Sequence, residues 1–144
     1  MKRLLATVIA SVALLGASAV EALPPPTHVT ITEWVVKTTN GKSHTVAPGS
    51  TFKHCPNVQA ASVNAKGSVA HAKVGKKYSV YWTLNGLNIA TFPHQWGKTD
   101  GPVHFFLTRN LSHTVPDGNY LVSIIQDGKS IGHSTLTVGK RKHC

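Results

Sequence analysis

The groups in this chain that could do chemistry are few, and their types narrow what that chemistry can be. There are five carboxylates, nine histidines and two cysteines in 144 residues. Three of the carboxylates, Asp100, Asp117 and Asp127, precede glycine, where Asp serves a turn by bonding local backbone. Glu21 sits in the N-terminal leader described below, so Glu33 alone is left for acid–base work. No carboxylate pair exists of the kind that glycosidases place across a scissile bond. A Ser-His-Asp arrangement is not decided by residue order, and no nucleophile elbow is expected. The composition points away from an enzyme.

Histidine offers more. Both cysteines follow one, as His54-Cys55 and His143-Cys144. A Cys55–Cys144 disulfide would bring His54 and His143 close enough to hold Cu(II) or Zn(II) weakly. Reduced thiols would instead make a nominal Cys2His2 set of the same four residues. Against both stands strand geometry, since neighbours on a strand point to opposite faces. No cofactor is therefore expected, with copper or zinc held by His54 and His143 as the alternative.

Positive charge is the third resource. Lys and Arg number 15 against 5 acidic residues, and they cluster as Lys140-Arg141-Lys142 and as Lys73, Lys76 and Lys77. Such a balance favours an anionic partner: a glycan, a lipid surface or an envelope protein. Nothing in the chain carries a nucleic-acid-binding signature. Trp96, in the loop-like stretch PHQWGKTDGP, could stack on a sugar or peptide, or cover an end of the fold.

The elements that must position these groups begin after a secretion signal. Lys2 and Arg3 form its positive start, Leu4 to Gly16 its apolar stretch, and Ala22 the favoured cleavage site. The apolar run is too short to span a bilayer, and no later segment is longer. Removing residues 1–22 leaves one domain of 122 residues, with 13 cationic and 4 acidic side chains, for a secreted or periplasmic destination. In that oxidising compartment the two cysteines are expected to pair. Asn110-Leu111-Ser112 is a glycosylation sequon in a eukaryotic setting.

Residues 23–27 (LPPPT) read as a stiff linker, and 28–144 as the domain. Val29–Lys37 is β-branched and aromatic, and its apolar positions change parity between Ile31 and Trp34, which predicts a bulge. Thr38–Ser50 is rich in turn signals. Short strands are expected at Thr51–His54, Val58–Val63 and Ser68–Lys73. Tyr78, Val80, Trp82 and Leu84 alternate with polar residues, then Asn85-Gly86 signals a hairpin returning over Leu87–Phe92. Val103, Phe105 and Leu107 form another inward row, as do Tyr120, Val122 and Ile124. At the last turn a three-residue loop, Gln126–Gly128, is expected. It would send Leu136 and Val138 inward and His133 outward, because a one-residue slip reverses every side chain.

Seven to nine short antiparallel strands without a helical period make the class all-β, a sandwich. The tryptophan strand YSVYWTL, the turn Pro116-Asp117-Gly118-Asn119-Tyr120 and the closing DGKSIGHSTLTV resemble bacterial immunoglobulin-like domains over about the last 70 residues. The resemblance implies that Tyr120 is a corner tyrosine whose hydroxyl bonds nearby backbone. No cysteine lies in the tryptophan strand or beside Tyr120, so the inter-sheet disulfide of antibody domains is not expected. The function expected is a non-enzymatic exported module that binds or supports an envelope partner. The basic tail and the Trp96 loop are its expected contact surfaces.

Overall fold

Alternation of apolar and polar residues, broken every few residues by glycine, proline or asparagine, builds nine strands in the computed structural model. It describes residues 23–108 and 114–144. The leader and the Asn110 sequon lie outside the described residues. The strands are β1 (His28–Thr38), β2 (Ser43–Val46), β3 (Thr51–His54), β4 (Ala60–Ala70), β5 (Lys77–Leu84), β6 (Leu87–Gln95), β7 (Gly101–Thr108), β8 (Gly118–Gln126) and β9 (Lys129–Lys140). They form a four-stranded sheet in the order β2-β1-β4-β7 and a five-stranded sheet in the order β3-β9-β8-β5-β6. Every pairing is antiparallel except β3 with β9, which is parallel. The sheets face one another across one core, a β-sandwich-like arrangement.

Trp34 from the four-stranded sheet and Trp82 from the five-stranded sheet meet edge to face, with centroids 5.8 Å apart. Both are fully buried, with Tyr120, Ile124, Val63 and Val122 around them. Fully burying each large side chain is worth about 1.5–3 kcal/mol. Trp34 also donates its indole N–H to Ser134 Oγ on β9 at 2.8 Å, so the sheets are joined by a buried polar bond as well.

The expected bulge in β1 is present: Ile31 pairs with Gly67 and Glu33 with Lys66, leaving Thr32 unmatched. Gly67 answers to that bulge. A Cβ there would lie 1.8 Å from the Thr30 carbonyl oxygen, so only glycine admits the backbone that the bulge pushes across β4.

Four expectations are corrected. Val58–Val63 and Ser68–Lys73 are not separate strands but ends of the single strand β4, because the apparent breaker Gly67 is this close-approach site. The turn-rich 38–50 segment contains the short strand β2, hydrogen-bonded to β1. The returning strand β6 continues past Phe92 through Pro93 to Gln95; as an edge strand it tolerates a residue without an N–H.

The last hairpin has a two-residue loop, not three. Asp127 and Gly128 both have positive φ, and Gln126 pairs with Lys129. The extra residue is absorbed further on, at Ile131, between the pairs Ile125–Ser130 and Ile124–Gly132. Parity after the bulge comes out as expected, with Leu136 and Val138 buried and His133 exposed. The apolar pattern decided the faces; the turn chemistry of Asp-Gly decided where the bulge went.

Candidate functional site

Strand direction separates the two basic clusters. β5 and β9 both run antiparallel to β8, so Lys77 at the start of β5 and Lys140 at the end of β9 lie at opposite ends. Twelve residues of β9 at about 3.3 Å each put roughly 35 Å between them. At the Lys77 end, Lys76 is paired with Asp127 at 2.9 Å, and Asp100 accepts the backbone N–H of His71 at 3.1 Å. That end is partly neutralised.

Trp96 also belongs to that end, and it is not an exposed stacking face. It is 3% exposed, lies against Tyr78 with ring centroids 3.8 Å apart, and donates its indole N–H to Gln126 Oε1 at 2.8 Å. The stretch preceding it is strand rather than loop, which turns the ring inward to close the sandwich.

The tail end is built differently. β3 lies parallel to β9, with His54 beside Lys140. The chain beyond β9 is then tied to β3 three times. Arg141 donates its backbone N–H to the His54 carbonyl at 2.8 Å and its Nε–H to the Lys53 carbonyl at 3.3 Å, and Cys144 is disulfide-bonded to Cys55. The cysteine Cα atoms are 5.9 Å apart, an ordinary disulfide span.

His54 anchors this end from below. Its Nδ1 lies 2.9 Å from the Cys55 carbonyl oxygen and its Nε2 lies 2.6 Å from Asp117 Oδ1. A carbonyl and a carboxylate are both acceptors, so a ring that satisfies both must donate from both nitrogens, which is the imidazolium form. Burial pulls the His54 pKa down. The hydrogen bonds to Asp117 and to the Cys55 carbonyl, with the Asp117 charge, outweigh burial and repulsion from Lys140, and the pKa moves up from 6.5. Asp117, read from the sequence as a local turn residue, thus reaches 63 residues back along the chain.

The raised pKa makes stability depend on pH. A pKa raised on folding stabilises the protein below the unfolded value and ceases to do so as pH climbs through the folded value. Raising the pH from 6 to 9 should therefore lower the unfolding free energy by on the order of 1 kcal/mol, the contribution of a charge-assisted hydrogen bond. Urea titrations at the two pH values measure it. The difference should shrink in Asp117→Asn, and an unchanged pH dependence in that variant would refute the ion pair.

The metal alternative loses its first ligand here, because both His54 nitrogens are committed and both sulfurs are in the disulfide. His143 is exposed. Among the described residues no three His, Cys, Asp or Glu side chains converge to hold a metal ion. Gly128-Lys129-Ser130-Ile131-Gly132 spells the G-x-S-x-G pattern of a nucleophile elbow. It forms the β8–β9 hairpin, however, and not a strand-to-helix turn, and Ser130 donates to the Gly132 carbonyl at 3.4 Å.

Between the β1–β2 turn, β3 and the tail lies a cleft of about 220 Å³, lined among others by Lys42, His44, Lys53, His54 and Arg141. Glu33 is placed mid-strand on β1 opposite Lys66, and Asp100 and Asp127 are at the far end, so Asp117 is the only acidic side chain at the tail end among the described residues. Sequence reading had found Arg141 but not Lys42, His44 or Lys53. They are scattered singly along the chain, and only the parallel β3–β9 pairing and the β1–β2 hairpin gather them.

Neither protein-family models nor curated protein sequences match this chain. Among the described residues no helix is long and apolar enough to cross a membrane.

Proposed function

We propose that this chain is an exported, non-enzymatic, immunoglobulin-like β-sandwich that docks through its tail end onto an anionic partner at the cell envelope. One observation carries the reading. Lys42, Lys53, Lys140, Arg141 and Lys142 gather at one end, where the single acidic side chain among the described residues, Asp117, is already spent on His54. Charge unopposed at one end of a molecule steers and holds an anionic surface.

The immunoglobulin-like part is supported by Tyr120, whose hydroxyl donates to the Pro116 carbonyl four residues upstream. The sheet order agrees with it, since β8 lies between β5 and β9 while β4 lies between β1 and β7. The disulfide departs from the antibody pattern by tying β3 to the tail instead of joining the two sheets. Export is supported by the basic and then apolar leader and by the disulfide, a bond of oxidising compartments. The non-enzymatic reading is supported by the carboxylates, of which Asp100, Asp117 and Asp127 are all engaged in structural contacts.

Binding to vesicles containing anionic lipid, and to immobilised heparin, tests the docking. Each cation near an anionic surface contributes about 1 kcal/mol, so replacing Lys140, Arg141 and Lys142 together by alanine should weaken binding roughly 100-fold at low salt. Replacing Lys73, Lys76 and Lys77 should cost far less. Equal losses in the two triple variants would mean that net charge alone is responsible, and would remove the tail end as the docking surface.

A further inference from the structure

The cleft beside the tail does more than add charge to a surface: we propose that it seats one tetrahedral oxyanion group, a phosphate or sulfate monoester carried by the partner. This rests on the tail end being the anion-binding end, and deepens that reading by naming what is held.

Among the described residues, six acceptors of the cleft lining are already engaged, while its cationic side chains still have donors to offer. The Lys53 carbonyl accepts from Arg141 Nε–H and the His54 carbonyl from the Arg141 backbone. The Cys55 carbonyl accepts from the Val58 N–H and faces His54 Nδ1. The Lys42 carbonyl accepts from Thr38, and the Thr38 carbonyl accepts from Gly41. Asn40 Oδ1 accepts both the Thr38 hydroxyl, at 2.5 Å, and the Lys42 N–H, at 3.2 Å. That leaves Asn40 only its amide N–H groups to offer outward. What the lining residues keep free for a ligand is a set of donors: the guanidinium N–H groups of Arg141 beyond Nε, the ammonium groups of Lys42 and Lys53, and the Asn40 amide. With these six acceptors engaged and three cationic side chains in the lining, the balance of the site favours an anion.

Size and shape narrow the class. Pockets for whole small molecules run about 300–1,000 Å³. At about 220 Å³ the cleft suits a single headgroup-sized unit, with the remainder of the partner outside. A planar guanidinium with two free N–H directions matches two oxygens of a tetrahedral oxyanion, which a lysine cannot do. The position of Arg141 is set by its two bonds to β3 and by the disulfide three residues on, so the fork is held in place before any ligand arrives. The lining also contains the tilted pair His44–Phe52, with centroids 5.0 Å apart.

The test uses the oxidised secreted chain titrated with sodium sulfate and with inorganic phosphate at constant ionic strength. It is followed by the ¹H–¹⁵N NMR signals of the Arg141 side chain and the 38–44 turn. Both anions should saturate these signals. Inorganic phosphate gains its second negative charge across neutrality, so its affinity relative to sulfate should rise between about pH 6 and 8. Sulfate, fixed in charge, reports only what the protein's own groups, His54 among them, lose. Arg141→Gln should weaken saturation at least tenfold, Arg141→Lys should recover only part of it, and Lys129→Gln, exposed in the β8–β9 hairpin at the far end, should change it less than twofold. Heparin and vesicles carrying a phosphomonoester lipid, assayed alongside, report which source delivers the group. If heparin or vesicles bind but neither small anion saturates, or Arg141→Gln is no worse than Lys129→Gln, the cleft proposal falls while the surface reading stands. If the small anions saturate and no surface binds, the cleft stands and the docking reading falls. If nothing binds, both fall.

Discussion

Reduction of Cys55–Cys144 should lower the melting temperature by roughly 15–20 °C while leaving a folded protein. The bond closes a loop across a separation of 89 residues. In the chain-entropy account, a crosslink of that span removes about 4–5 kcal/mol of freedom from the unfolded chain. For a domain of this size, 1 kcal/mol corresponds to about 4 °C. The folded state does not depend on the bond, because the sheets are already held by Trp34, Trp82, Tyr120 and the aliphatic residues around them, all fully buried. Thermal unfolding followed by circular dichroism, with and without a thiol reductant, measures the shift, and the Cys55→Ser/Cys144→Ser variant repeats it without chemistry. A change below 4 °C would show that the loop is constrained by other contacts in the unfolded chain. A complete loss of sheet signal would show that the core is weaker than its burial implies. Either result would overturn the expected division of stability between crosslink and core. The reduced protein should also bind oxyanions less well, since Arg141 then depends on its two bonds to β3 alone.

Trp34→Ala should cost about 5 kcal/mol and leave the protein largely unfolded at 37 °C. Three losses coincide at this side chain. A fully buried indole is deleted, for which about 3–5 kcal/mol is usual. The edge-to-face contact with Trp82 disappears. Ser134 Oγ, 7% exposed as a residue, loses the donor that satisfied it. Against a typical total stability of 5–15 kcal/mol, that sum leaves little margin. Trp34→Phe separates the terms: it keeps most of the apolar volume and removes the hydrogen bond, so about 1–2 kcal/mol should be lost. Urea unfolding with near-ultraviolet dichroism reads both variants. Equal losses in the two would mean that the Ser134 bond dominates, and a loss under 2 kcal/mol for alanine would mean that the sheets are not joined chiefly through this residue.

Local pattern carried much of the fold. The parity change in β1 announced the bulge at Thr32, Asn85-Gly86 announced a hairpin in which both residues do have positive φ, and the inward rows on β5, β7 and β8 face the core, with Tyr78, Leu84 and Val103 at their ends only partly buried. Where reading failed, the cause was a partner distant in sequence. Gly67 looks like a breaker until β1 is laid over it, and Pro93 looks like a strand end until β6 is found at a sheet edge. Trp96 looks available until it is stacked on Tyr78.

The candidate site divides along the same line. Composition alone established the excess of cations, the scarcity of carboxylates and the presence of two cysteines, because these are counts. Which cations stand together, and which acid is spent on which base, came only from tertiary structure. Lys42, Lys53 and Arg141 share a cleft, and Asp117 meets His54, because β3 turns parallel to β9 and brings segments 63 to 99 residues apart into contact. Charge acts through distance in space, and a strand pairing of that sequence separation leaves no periodic trace in either partner.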